Sequence, residues 1–367
     1  MPHFDKLNLR QYPPVHRGQA FNSADALLVD AAAACPISGA ATLVVNDEFG
    51  ALCCALQAAT AWTDSYLASR SVQENLKRNN LAHINILWST ETLIEALTDH
   101  KCTLVVMRVP KQLSYFEYQL SQLSQLLPAG ARVLLAGMDK HLSPATASLI
   151  ETYIGPTQRH RGQHKARLFS ACRDERCPTP FSGMGEYYSD TLNQPLISLA
   201  NVFAREKIDI GSRFLLDSLD KLAPTERVID LACGNGIVGL TAASRGLCKS
   251  LLMCDESAMA IASATINTER CALRCDVSYH HGDGLLDYKG ELAQLILCNP
   301  PFHLNHRVDE GVGRRLLAQC AARLVQGGSL CLVANRHLNY LPVLKRDFTV
   351  VEELAQNNKF VVWRARR

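Results

Sequence analysis

Arg227-Val-Ile-Asp-Leu-Ala-Cys-Gly-Asn-Gly-Ile-Val-Gly-Leu240 reads as a short apolar strand, a glycine turn and the start of a helix. Beyond it, Leu251-Leu-Met-Cys-Asp255-Glu-Ser is a second apolar strand closed by acids, and a helical pattern follows through Asn267. Gln294-Leu-Ile-Leu-Cys-Asn-Pro-Pro-Phe302 is a third strand that runs into a rigid turn, and Gly327-Gly-Ser-Leu-Cys-Leu-Val-Ala334 adds another. Strands alternating with helix-length segments predict a doubly wound, parallel α/β sheet.

The first half repeats this skeleton. Thr42 to Gly50 stands where Val228 to Gly236 stands, and Asp64 and Asn75 stand where Asp255 and Asn267 do. Leu104-Val-Val-Met-Arg-Val-Pro110 matches the strand that ends at Pro300, and Gly130 to Ala136 mirrors Gly328 to Ala334. The reading is an internal duplication, with one domain over residues 1–180 and a second over 181–367. The copies are unequal. Asp47-Glu-Phe-Gly50 keeps one glycine where the second half has Gly234 and Gly236, so its backbone lacks the same close approach to a ligand. Val109-Pro-Lys111 has lost Asn-Pro-Pro-Phe. The first copy is therefore expected to be degenerate and non-catalytic. A Pro- and Gly-bearing linker is expected between Cys172 and Leu199, followed by an amphipathic helical stretch from Asn201 to Leu219.

Composition is globular, with 47% hydrophobic and 20% charged residues, which excludes a disordered chain. No apolar run approaches the ~18 residues of a membrane span, and no signal pattern opens the chain. Several of the 14 cysteines lie inside apolar segments, where a thiol acts as a small hydrophobe. A cytoplasmic, reduced protein is the expectation. The net charge of +3 neither demands nor excludes a nucleic-acid partner. The spacings His160/His164/Cys172/Cys177 and Cys271/Cys275/His280/His281 lack the paired Cys-x2-Cys element, so no metal site is expected.

Gly234, Gly236 and Gly239 formally fit a dinucleotide fingerprint, but a dehydrogenase gives no reason for Asn-Pro-Pro-Phe at the end of a later strand. Turn, acid and tetrad in this order resemble S-adenosylmethionine (AdoMet)-dependent methyltransferases that modify an exocyclic or amide nitrogen. The resemblance implies that Asp230, Cys233, Gly234, Asn235 and Gly236 form the AdoMet turn. It also implies that Asp255, beside Glu256, meets the ribose hydroxyls and that Asp283, beside Gly284, meets the adenine amino group. An aromatic amino group is a poor nucleophile, because its lone pair is delocalised into the ring. Asn299 side-chain oxygen and Pro300 carbonyl oxygen can both accept from it and favour a tetrahedral nitrogen. Pro300 and Pro301 stiffen the turn, and Phe302 offers a ring face for a flipped base.

Over nearly the whole chain the sequence resembles bacterial ribosomal RNA guanine-N2 methyltransferases. Asn201-Val-Phe-Ala-Arg, Asp209-Ile-Gly-Ser-Arg, Asn299-Pro-Pro-Phe-His303, Val333-Ala-Asn-Arg-His-Leu-Asn-Tyr340 and Asn357-Asn-Lys-Phe carry it. The first-half run Val44 to Ala55, with Val109-Pro-Lys111, is closer to the large-subunit branch, ribosomal RNA large subunit methyltransferase G, than to the 16S branch. Departures are Asp255-Glu-Ser-Ala, where a proline is expected after the serine, and the Leu304 to Glu310 loop. That resemblance implies 23S ribosomal RNA as partner and a first domain freed to grip it. Arg159, Arg161, Lys165, Arg167, His303, Arg314 and Arg315 are the candidate RNA contacts. Three alternatives stay open: a 16S guanine-N2 enzyme, a glutamine-amide methyltransferase, and a non-catalytic RNA chaperone. The glutamine enzyme would favour tyrosine at position 302 and have no degenerate twin. The chaperone would not need the intact turn and tetrad.

Overall fold

The computed structural model describes residues 4–14, 18–35, 41–97, 102–301 and 310–367. They form two compact units, Met1–Gly183 and Met184–Arg367.

The first unit runs α1 (Ser23–Ala33), β1 (Thr42–Val45), α2 (Ala51–Leu56), β2 (Thr60–Thr63), α3 (Tyr66–Arg78), β3 (Asn85–Trp88) and α4 (Leu93–Ala96). It continues with β4 (Leu104–Arg108), α5 (Leu113–Leu126), β5 (Arg132–Met138), α6 (Thr146–Tyr153), β6 (Thr157–Arg159) and β7 (Ala166–Cys172). Its seven strands form one sheet in the order β3-β2-β1-β4-β5-β7-β6. The pairings are parallel except at β7, which runs antiparallel to β5 and β6.

The second unit opens with a separate hairpin, β8 (Gly185–Ser189) and β9 (Gln194–Ser198). Then come α7 (Ile210–Leu216), β10 (Thr225–Leu231), α8 (Ile237–Ser244), β11 (Cys248–Asp255), α9 (Ala258–Arg270), β12 (Asp276–His281) and β13 (Ala293–Cys298). The unit ends with α10 (Glu310–Arg323), β14 (Leu324–Asn335), α11 (Leu341–Asp347), β15 (Val350–Gln356) and β16 (Phe360–Arg366). Its sheet order is β12-β11-β10-β13-β14-β16-β15, the same sequence of strands as in the first unit. The duplication expected from four landmarks is thus a repeated topology.

Strands buried on both faces explain the near-continuous apolar runs. In the second sheet, Val228, Leu295, Leu297, Cys331, Val333 and Val362 face α7 and α8 through Leu215, Leu216 and Leu240. The alternate residues Ile229, Leu231, Ile296, Cys298, Leu330 and Leu332 face Leu316, Leu317 and Leu344 of α10 and α11. Two comparable clusters flank the first sheet, one of them built around the fully buried Trp62 and Phe116.

Three expectations need correction. The expected linker contains the β8–β9 hairpin, which belongs to the second unit, and the units divide at Gly183/Met184. The helical stretch from Asn201 is shorter than its pattern suggests: α7 starts at Ile210, because Asp209 caps it by accepting from Ser212 N–H. Two landmarks also slip by one residue. Thr63, at the end of β2, stands where Asp255 ends β11, and Gly130 (φ 84) matches Gly327 (φ 77) rather than Gly328.

Candidate active site

At the carboxyl end of β13, Asn299 has its amide nitrogen tied at two points. Nδ2 donates to Asp209 Oδ2 at 3.2 Å and to Ser212 Oγ at 2.8 Å, both at the start of α7. A carboxylate can only accept, so Asp209 fixes which end of the amide faces it. Asn299 Oδ1 is then left buried with no hydrogen-bond donor among the described residues. A buried, unsatisfied acceptor costs about 1–3 kcal/mol, a cost recovered when a ligand N–H arrives. Asn299 is partly buried, Pro300 is buried and Pro301 is exposed at the turn. Phe302 and His303 lie outside the described residues.

The glycine turn after β10 is braced from several sides. Asp230, buried in the strand, accepts from Gly239 N–H at 2.7 Å. Burial, opposed by that bond and reinforced by Asp255, pushes its carboxyl up to about 7. Asn235 is also buried: its amide donates to Tyr187 Oη (3.1 Å) and Ser198 Oγ (3.0 Å) on the β8–β9 hairpin and accepts from Ile237 N–H. Cys233 is a buried thiol, and burial raises its pKa well above the usual thiol range, which suits a space-filler. Of the expected cofactor residues here, Asp230, Cys233 and Asn235 therefore act on the turn itself. Gly234 (φ 55) is different, because a Cβ built on it would meet nothing within 4 Å. Its N–H donates to Asp255 Oδ2 at 2.9 Å, while Asp255 Oδ1 accepts from Ser257 N–H at 3.0 Å. Gly236 turns the chain into α8 at φ 86. Glu256 contributes its carbonyl to His281 Nε2–H at 3.0 Å.

Asp283, fully buried, is ion-paired to Arg315 of α10, and Gly284 beside it packs against Gln319 and Leu316. Arg315, expected on an RNA surface, is instead turned to Asp283, because a buried carboxylate needs a partner. Arg167 is likewise drawn to Asp139 (3.0 Å) rather than left to solvent. Arg159, Arg161 and Lys165 are exposed on the β6–β7 hairpin, and Arg314 is exposed on α10. The connection between β6 and β7 turns on His164 (φ 49) and Lys165 (φ 63), two left-handed residues closed by reciprocal Gln163–Ala166 bonds. His160 Nε2 is engaged by Ser170 Oγ at 2.8 Å.

The same positions in the first unit show what has been lost. By strand register Arg108 takes the place of Asn299, while the α1 cap Asn22 and Asp25 take those of Asp209 and Ser212. Arg108 donates to Asn22 Oδ1 (3.2 Å) and pairs with the buried Asp25 at 2.5 Å, so an ion pair fills the place of the acceptor. Asn46 (φ 59) replaces Ala232 (φ 60), and its amide exchanges two hydrogen bonds with Gln119. Asp47 accepts from Gly50 and Cys53 N–H, and burial pushes its carboxyl up to about 6. One device survives in both units. Asn75 donates to Arg10 and Phe49 carbonyls and accepts from Arg10 N–H, as Asn267 does with Ile197 and Asn235.

Sequence reasoning missed Asp209 and Ser212 as holders of Asn299. The available signal was an Asp cap with a serine three residues on, next to a tetrad that needs one amide orientation.

Comparison with known proteins gives a consistent result. A family model described as the RLMG N-terminal domain matches residues 1–175, and one described as the methyltransferase small domain matches residues 193–364. A protein of Alcanivorax borkumensis named ribosomal RNA large subunit methyltransferase G is 40% identical over 334 residues, covering 88% of this chain and 83% of its own. Its namesake from Stutzerimonas stutzeri is 40% identical over 356 residues, covering 95% and 93%. The Thermus thermophilus 16S rRNA N2 G1207 methyltransferase, solved with AdoMet and guanosine, shares the fold at a TM-score of 0.79 and 22% identity, over 98% of this chain and 94% of that one.

Proposed function

The chain belongs to the ribosomal RNA large subunit methyltransferase G family, and on that premise we propose that it methylates the exocyclic N2 amino group of a guanosine in 23S ribosomal RNA, using AdoMet. The observation that carries the chemistry is the orphaned, oriented Asn299 Oδ1. AdoMet, when bound, supplies an electrophilic methyl group. The residues fit it: Gly234 leaves open space where any side chain would project, and Asp255 stands at the adjoining strand end.

The rest is done by the protein's own groups. Asn299 Oδ1 and the Pro300 carbonyl accept the two amino hydrogens and draw the N2 lone pair out of ring conjugation. Asp209 and Ser212 hold the amide so that no reorganisation is needed when the base arrives. By the sequence resemblance, Phe302 is the residue that offers a ring face to the flipped base. The proton leaves after transfer, so no tuned general base is required. The first unit, its own site closed by Arg108–Asp25, serves as an RNA grip through Arg159, Arg161 and Lys165. A cytoplasmic setting agrees with 14 cysteines that are all free. Among the described residues no helix is long and apolar enough to cross a membrane.

The test is incubation with tritiated AdoMet and protein-stripped 23S or 16S RNA, followed by nucleoside analysis. N2-methylguanosine in 23S RNA is expected. Label in 16S RNA alone would overturn the branch, and label only in protein would favour the glutamine reading.

A further inference from the structure

A second orphaned amide stands on the strand next to Asn299. Asn335, the last residue of β14, is only 6% exposed, and its Oδ1 has no donor among the described residues. β13 and β14 are parallel with Cys298 opposite Leu332, so continuing that register places Asn299 opposite Val333 and Asn335 two residues further on. Both amides share a face of the sheet. Leu295 and Leu297 precede Asn299 on the α7 face, as Cys331 and Val333 precede Asn335. Strand spacing puts their Cα atoms about 8 Å apart. The cross-strand partner of Asn335 is Phe360, whose ring comes within 3.4 Å of the position a Cβ on Gly211 would take. Asn299 Oδ1 is also 3.4 Å from that position, so Asn299 and the ring of the residue paired with Asn335 border one small region.

The non-catalytic copy supports a role in substrate handling. With Leu134 matched to Cys331 by register, the residue at the Asn335 position in the first unit is Met138, paired there with Ala166. The same copy that has Arg108 for Asn299 has thus also replaced this amide with a thioether.

We propose that Asn335 reads the guanine ring beside the reacting amino group: its Oδ1 accepts from N1–H, and its amide nitrogen donates to O6. This rests on the guanine-N2 reading above. Guanine carries a donor at N1 and an acceptor at O6, in the plane of the amino group, which one amide satisfies at both ends. Adenine presents the opposite pattern, which the amide meets only by turning over, and it carries no amino group at C2. Asn299 therefore selects an amino group, and Asn335 selects the ring that bears it.

The experiment compares the full-length chain with Asn335→Leu on 23S RNA carrying either guanine or 2-aminopurine at the methylated position. 2-Aminopurine keeps the amino group and lacks both N1–H and O6. Leucine keeps the branched heavy-atom skeleton and removes an unsatisfied buried acceptor, so folding and AdoMet affinity should be unchanged, and both are measured. The wild type should favour guanine by about 100-fold in kcat/KM, the discrimination expected of two hydrogen bonds in a desolvated site. In Asn335→Leu the guanine rate should fall by about that factor, while the 2-aminopurine rate stays within about threefold. Equal losses on both substrates, or an undiminished guanine rate, would overturn the assignment. A wild-type chain that puts no N2-methylguanosine into 23S RNA would instead overturn the reading on which it rests.

Discussion

Replacing Asn299 with aspartate keeps the side-chain shape and the acceptor but turns the donor end into a second carboxylate oxygen. That end lies 3.2 Å from Asp209 Oδ2. Two ionised carboxylates at this separation repel by about 5 kcal/mol at an effective dielectric constant of ~20. Holding a proton one pH unit above a group's pKa costs only ~1.4 kcal/mol, so the pair keeps a shared proton well into the neutral range. In that singly protonated form the new carboxyl donates to Asp209 and presents its other oxygen to the substrate, much as the amide does. Above that range the proton leaves, the two groups repel, and the acceptor loses its fixed position. The folded chain binds a proton there that the unfolded chain does not, so stability falls with rising pH alongside activity. Single-turnover methylation of 23S RNA by Asn299→Asp and the wild type, measured from about pH 5.5 to 8.5, tests this. The ratio of variant to wild-type rate should be highest at the acid end and fall at least about tenfold by the alkaline end. A ratio that stays flat, in a variant whose melting temperature is also flat, would refute the reading of Asn299 as an acceptor positioned by Asp209.

Gly234→Ala should cost about 1 kcal/mol from its left-handed backbone and weaken AdoMet binding at least about tenfold, read by calorimetry alongside a thermal melt. Arg108→Ala leaves the carboxylate of Asp25 buried without its partner, so urea unfolding should show a loss of about 3–5 kcal/mol in the first unit with AdoMet affinity unaltered. Asp230, pushed up to about 7, has a folded pKa above its unfolded value, so it takes away stability as pH climbs from about 4 to about 7. Asp230→Asn keeps an acceptor for Gly239 N–H and should melt at or above the wild type at pH ~8, with a flatter profile between. Neutralising Arg159, Arg161 and Lys165 together should reduce the slope of log affinity for RNA against log salt by about 2–3, with AdoMet binding unchanged.

The repeat was legible because strand period and glycine turns survive divergence, and both sheets take the same strand order. The one-residue slips arose where landmark residue types, not pairing, set the match. Asp64 resembles Asp255, yet register places Thr63 there. Asn299 was legible from its tetrad. The hold of Asp209 and Ser212 on Asn299, and the pairing of Arg315 with Asp283, were not read, because they come from contacts across 90, 87 and 32 residues. The cationic run around Lys165 was visible as charge, but Arg167 shows that charge alone does not tell a solvent-facing guanidinium from one held by Asp139.

The asparagine brace shared by α3 and α9 makes the chain its own two-sequence comparison. Asn75 and Asn267 bind the same backbone atoms in each copy, although one copy holds an orphaned amide and the other an ion pair. A feature that both copies share at equivalent positions is explained by the scaffold they have in common. A helix asparagine that looks like a ligand-binding residue in either half alone is thereby assigned to architecture, and its loss should unfold both halves alike.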